Sequence, residues 1–112
     1  MPLRLLLVRH GLSSFNKERR IQGRDDLSNL SEEGHEQARA LGRSLQDVSI
    51  QAVYSSPLQR AAATTASLLE TQCGQTPDPV FDDGLLEVDL ESWSGQTIDE
   101  LMQGLTEAFK IW

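Results

Sequence analysis

Leu3-Arg4-Leu5-Leu6-Leu7-Val8-Arg9-His10-Gly11 decides the fold class, because an apolar run ends abruptly in a cation, an imidazole and a glycine. Leu5 to Val8 are apolar at both parities, which predicts a strand buried on both faces, as in a parallel sheet flanked by helices. Open α/β sheets place their ligands just beyond the carboxyl ends of the strands. Arg9 and His10 stand where such a sheet would bind one. Gly11 then gives the backbone a tight exit and lets a ligand approach closely. Taken alone, the tripeptide is equally well explained by chance, with the histidine capping a core strand.

A chain of 112 residues is one domain at most, and by size scaling buries about 65% of its unfolded surface. Ten basic against 17 acidic residues leave a net charge of -7, which argues against nucleic acid or an anionic membrane as partner, since both need a basic face. A few convergent arginines can still bind one phosphate inside an acidic protein. The single Cys73 cannot form an internal disulfide and has no companions for a Cys-rich zinc site. No run approaches membrane-spanning length, and no small-residue cleavage site follows the first apolar run. The expectation is a soluble, cytoplasmic protein.

From Ser13 to Arg20 the chain is polar, and its basic run reads as a solvated helix face or loop. Ile21-Gln22-Gly23-Arg24-Asp25-Asp26 reads as a loop, from which Gln22 and Arg24 either reach a ligand or decorate the surface. Ser31 is the expected N-cap of a helix, with Glu32 and Glu33 in its first turn. Gly34, Ala38, Leu41 and Leu45 mark its buried face, and the small Gly34, Ala38 and Gly42 would let it lie close to a sheet. His35 falls outside that face and is expected to be exposed. Val48 to Ser55 is a second strand. Ser56-Pro57-Leu58-Gln59 then starts a helix with Ser56 as N-cap, Pro57 at the first position and Gln59 completing a capping box. Its expected apolar face is Leu58, Ala61, Ala62, Thr65 and Leu69, with Gly74 as the stop. Arg60 lies by the first turn, near backbone donors that can bind an anion. Val80-Phe81 and 85–88 are extended around an Asp82-Asp83-Gly84 turn. Thr97 caps a last amphipathic helix through Ile98, Leu101, Met102 and Leu105 to Trp112. The strand–helix–strand order implies parallel pairing.

If the strands are parallel neighbours, Arg9, His10, Arg60 and Glu87 converge on one sheet edge. Two guanidiniums can hold a phosphate dianion by forked, charge-assisted bonds. An imidazole is substantially neutral at pH 7 and offers one ring nitrogen as nucleophile. A carboxylic acid can protonate the departing oxygen. That set suits phosphoryl transfer with no metal and no cofactor, and the sequence offers no metal-ligand cluster.

Leu7-Val8-Arg9-His10-Gly11 with Ser13 and Asn16 resembles the signature of the histidine phosphatase superfamily, in its phosphoglycerate-mutase-like branch. Ile21-Gln22-Gly23-Arg24, Leu30-Ser31-Glu32-Glu33-Gly34, Tyr54-Ser55-Ser56-Pro57-Leu58-Gln59-Arg60-Ala61 and Leu86-Glu87-Val88-Asp89 followed by Trp93-Ser94-Gly95 match later blocks in order. The resemblance implies a three-layer α/β/α fold with a mostly parallel sheet, incomplete at the C-terminus. Residues 1–112 would be the N-terminal part of a single domain. It makes His10 the nucleophile that becomes phosphohistidine and Glu87 the proton donor. Arg9 and Arg60 would bind the phosphoryl group, and Asn16, Gln22 and Gly23 fall where the family lines its phosphate and substrate pocket.

Two departures stand out. Leu12 replaces an acidic residue often found after Arg-His-Gly, with little effect expected. The family's second active-site histidine is absent, since His35 sits on a helix in the wrong block. The expected function is a phosphomonoester phosphatase acting on a small phosphorylated metabolite. The alternatives are a phosphoglycerate mutase, or a catalytically dead phosphate- or partner-binding fragment. The 112-residue chain by itself is expected to be a poor enzyme or none, with an open edge beside Leu5 and Leu7, and to aggregate, form a homodimer through that edge or be only partly ordered.

Overall fold

The computed structural model describes residues 3–87, 89 and 93–104. After a single-turn helix α1 (Ser14–Lys17), the long helix α2 (Glu32–Ser44) begins where the sequence places it. The extended Ser31 accepts the Gly34 N–H on its hydroxyl at 3.1 Å, and Glu32 and Glu33 lie in the first turn. Gly34, Ala38 and Gly42 are its buried residues. Their small size serves a close approach, though not to a sheet. A Cβ on Gly42 would strike the Leu68 carbonyl of the neighbouring helix and the Thr71 hydroxyl just past its end, and one on Gly11 would lie 2.5 Å from the Gly34 carbonyl oxygen.

That neighbour is α3 (Gln59–Leu69), which lies between strands β1 (Tyr54–Ser55) and β2 (Val80–Phe81) and carries the chain across between them. The two strands pair in parallel, Tyr54 opposite Val80 and Ser55 opposite Phe81. Bonds from Val80 N–H to the Val53 carbonyl (2.9 Å) and from Asp82 N–H to the Ser55 carbonyl (3.0 Å) extend the register. A 3-10 turn, Asp83–Leu85, follows with the Asp82 carboxylate accepting the Gly84 N–H. Helix α4 (Ile98–Gly104) starts on the expected cap, Thr97, which forms a reciprocal box: Thr97 Oγ1 accepts the Glu100 N–H and Glu100 accepts the Thr97 N–H, both at 3.0 Å. The expected continuation through Leu105 to Trp112 lies outside the described residues, as does Val88.

Several expectations are corrected. Residues 3–8 pair with nothing among the described residues and carry no ladder, so the predicted first strand is not formed as one. Leu3, Leu5 and Leu7 are 91%, 74% and 87% exposed. A segment apolar at both parities needs sheet neighbours and covering faces, and neither is supplied here. The cap of α3 also moves. The helix starts at Gln59 with Leu58 as N-cap and no side-chain bond from that residue, while Ser56 Oγ only accepts the Leu58 N–H at 3.3 Å. Its buried face is Arg60, Thr64, Ser67 and Leu68, rotated from the apolar face read in the sequence. The packing surface offered by α2 lies on that side, and the hydroxyls there are satisfied by specific bonds. Thr65, on the other side, donates to Ser55 Oγ of β1 at 3.1 Å. His35 is half-buried at the helix–helix contact, its Nδ1 2.7 Å from the buried Ser67 hydroxyl, so it is not the exposed residue expected.

Across the same contact Arg39 bonds Glu70 at 2.8 Å, while Glu36 receives Arg43 at 2.9 Å and Arg39 at 3.4 Å. No helix among the described residues is long and apolar enough to cross a membrane.

Candidate active site

Gly11 and Leu12 are clamped between the two helices, and this fixes His10. The Gly11 N–H donates to Thr64 Oγ1 (3.1 Å), whose hydroxyl donates in turn to the Arg60 carbonyl (2.7 Å). The Leu12 N–H donates to Gln37 Oε1 (2.9 Å), and the Leu12 carbonyl accepts from Ser31 Oγ (2.6 Å) and the Ser31 N–H (2.9 Å). His10 Nδ1 lies 2.7 Å from the Gly11 carbonyl oxygen. A carbonyl can only accept, so in the neutral ring the proton sits on Nδ1 and the lone pair is on Nε2.

An open pocket of about 370 Å³ lies at this turn, lined by Arg9, His10, Gly11, Leu12, Asn16 and Gln37. The sequence candidates Arg9, His10 and Asn16 are thus brought together. Asn16 also closes the box that starts α1: its Oδ1 accepts the Ser13 N–H and its own N–H donates to Ser13 Oγ, both at 3.2 Å. The amide oxygens of Asn16 and Gln37 are therefore taken by backbone donors, and their NH₂ groups remain for a ligand.

Gln22, Gly23, Arg60 and Glu87 do not line that pocket, and of these Gln22, Gly23 and Arg60 are linked to it through a chain of hydrogen bonds. Ser13 Oγ donates to Gln22 Oε1 at 2.6 Å. The Gly23 carbonyl accepts from Arg60 Nη2 at 2.7 Å. Arg60 is only 2% exposed, and among the described residues its Nη1 is the buried side-chain donor left with no partner. A buried, half-satisfied guanidinium is costly unless an anion completes its bonds, so the orphaned nitrogen supports the anion-binding expectation. Glu87 is exposed, and its backbone carbonyl accepts from Arg24 Nε at 3.2 Å.

The turn at 93–97 closes over the same loop. Ile21 N–H donates to the Gln96 carbonyl (2.9 Å), Gly95 N–H to the Ile21 carbonyl (3.0 Å) and Arg20 Nη1 to the Gly95 carbonyl (2.6 Å). The rest of the basic run is a solvated surface, as expected, with Lys17 3.2 Å from Glu33. Among the described residues no group of His, Cys, Asp and Glu could hold a metal ion.

Sequence reading missed Thr64 and Gln37. Thr64 lies one helical turn after Arg60, a spacing that could have flagged it. Gln37 carries no local signal, because its role depends on where Leu12 falls in space.

Residues 5–112 match the Histidine phosphatase superfamily (branch 1). The chain is 34% identical over 110 residues to phosphoserine phosphatase 1 of Hydrogenobacter thermophilus, across 98% of this chain and 50% of that protein. The solved structure of Bacillus stearothermophilus YhfR superposes with a TM-score of 0.82 at 37% identity, across 93% of this chain and 50% of its own. Phosphoglycerate mutase of Bacillus anthracis superposes with a TM-score of 0.80 at 29% identity, across 90% and 44%. The chain spans about half the length of these relatives and shares their phosphoglycerate-mutase-like α/β fold.

Proposed function

The chain belongs to branch 1 of the histidine phosphatase superfamily, and from that premise we propose that it is the N-terminal part of a single phosphomonoester phosphatase domain. The observation that carries this reading is the bond from His10 Nδ1–H to the Gly11 carbonyl, which leaves Nε2 as the nucleophile in a pocket shared with Arg9 and Asn16.

Nε2 attacks phosphorus, an N–P bond forms and the ester P–O bond breaks. The departing alkoxide takes the proton of the Glu87 carboxylic acid. Water then attacks the phosphohistidine, releasing inorganic phosphate and returning the proton to Glu87. Arg9 and Arg60 bind the transferred group, where fixed positive charge meets the spreading negative charge of the transition state. Asn16 and Gln22 present amide donors to the substrate, and Gly23 acts through its carbonyl on Arg60. The substrate is a small phosphorylated metabolite. This chemistry needs no cofactor.

Trapping the whole protein with a phosphorylated substrate tests the reading. Acid-labile, base-stable phosphate should appear on the wild type and vanish in His10→Ala. Labelling of that variant at wild-type level would exclude His10 as the nucleophile. Release of inorganic phosphate, against isomer interconversion primed by a bisphosphate, separates a phosphatase from a mutase, the reading that the likeness to the Bacillus anthracis enzyme favours. The 112-residue chain alone should turn over poorly, since loss of one preorganised donor typically costs about 100- to 1000-fold and it lacks a second active-site histidine.

A further inference from the structure

In the loop of residues 22–26, each of the five successive residues is bonded to a residue outside the loop. Gln22 receives Ser13, Gly23 receives Arg60, Arg24 donates to the Glu87 carbonyl, and Asp25 receives Ser94 Oγ. Asp26 is the fifth. Its Oδ1 accepts the Gln59 N–H at 2.7 Å and its backbone carbonyl accepts Gln59 Nε2 at 3.1 Å.

Gln59 and Arg60 are the first two residues of α3, and the helix receives no side-chain bond from its own N-cap, Leu58. Asp26 supplies the missing acceptor from 33 residues upstream. Its negative charge also suits the positive end of the helix dipole. Gly23 and Asp26 thus grip adjacent residues of one helical turn, one by the guanidinium and the other by the backbone. A guanidinium binds phosphate as a planar fork, so its orientation matters as much as its charge.

We infer that Asp26 is a positioning residue for phosphoryl transfer: its carboxylate anchors the first turn of α3 to the loop that holds Arg60, and so sets Arg60 Nη1 for the phosphate. The inference rests on the assignment of Arg60 to the phosphoryl group.

The test uses the whole protein, with orthophosphate binding followed by calorimetry and hydrolysis of p-nitrophenyl phosphate followed by rate. Asp26→Ala should lower kcat by about 10- to 100-fold, since a displacement of about 1 Å can cost about 100-fold. Asp26→Asn keeps an oxygen for the Gln59 N–H and should stay close to wild type. In an Arg60→Lys background, Asp26→Ala should cost little more, because both changes act through one group. Unchanged turnover in Asp26→Ala, equal losses in the Ala and Asn variants, or additive losses in the double variant would overturn the Asp26 assignment alone. So would an Asp26→Ala protein that no longer melts cooperatively, which would make the role structural. A wild-type protein that neither binds orthophosphate nor hydrolyses the ester would overturn the reading of Arg60 and this inference with it.

Discussion

Thr64 and Gly11 are joined by a single hydrogen bond at 3.1 Å, and through it the turn that carries His10 is fastened to the helix that carries Arg60. The same hydroxyl donates to the Arg60 carbonyl at 2.7 Å, and Thr64 is buried. Thr64→Val keeps the shape and leaves the Gly11 N–H unpaired, at a cost of about 1–3 kcal/mol. Urea unfolding should show that loss, and turnover should fall with it. Thr64→Ser retains the hydroxyl and should restore most of both. If Val and Ser behave alike, the bond does not position the turn.

Glu87→Gln should discriminate between leaving groups. An alkyl alkoxide needs a proton in the transition state, whereas a nitrophenolate leaves well without one. Rates in the whole protein should therefore drop far more on alkyl phosphates than on p-nitrophenyl phosphate. Equal losses on both substrates would remove Glu87 as general acid.

Gly42 of α2 packs directly against the backbone at the C-terminal end of α3. Alanine is the better helix former by about 1 kcal/mol, which alone would make Gly42→Ala stabilising. Here its methyl group would meet the Leu68 backbone carbonyl, which cannot swing aside as a side chain can. Overpacking of this kind costs about 1–3 kcal/mol, so the net change should be destabilising. A lowered denaturation midpoint with unchanged slope is the expected result, and a raised midpoint would show that the helices separate freely.

The Glu36 carboxyl is held below its ordinary value by hydrogen bonds from Arg43 and then Arg39, and the Arg39 guanidinium is raised chiefly by its bond to Glu70. A depressed carboxyl contributes stability that is complete above its unfolded value and disappears as pH falls through the lower folded value. These ion pairs lie at the surface, so salt should screen them. Glu36→Gln should therefore melt slightly below wild type near neutral pH in dilute buffer. The gap should close in acid and in high salt. A gap that persists in acid would assign the effect to packing of α2.

What the sequence determined by itself is what local bonds determine. The Ser31 hydroxyl reaches Gly34, Thr97 reaches Glu100 and Asp82 reaches Gly84, all within three residues, so these starts were legible as residue pairs. The run of ordered motifs around Arg9-His10-Gly11, Gln22-Gly23 and Arg60 likewise needs no coordinates to be recognised. Tertiary structure decided what depends on partners far along the chain. Arg60 is buried because Gly23 accepts from it 37 residues away, Asp26 caps α3 across 33, and Thr64 holds Gly11 across 53. The buried face of α3 became its polar side because its hydroxyls are satisfied there, beside a helix whose buried residues are small, and the Arg60 guanidinium is held by Gly23. Leu5 and Leu7 show the converse. An apolar run is legible as a strand, but a ladder forms only when a neighbouring strand offers its backbone, and none of the described residues does so.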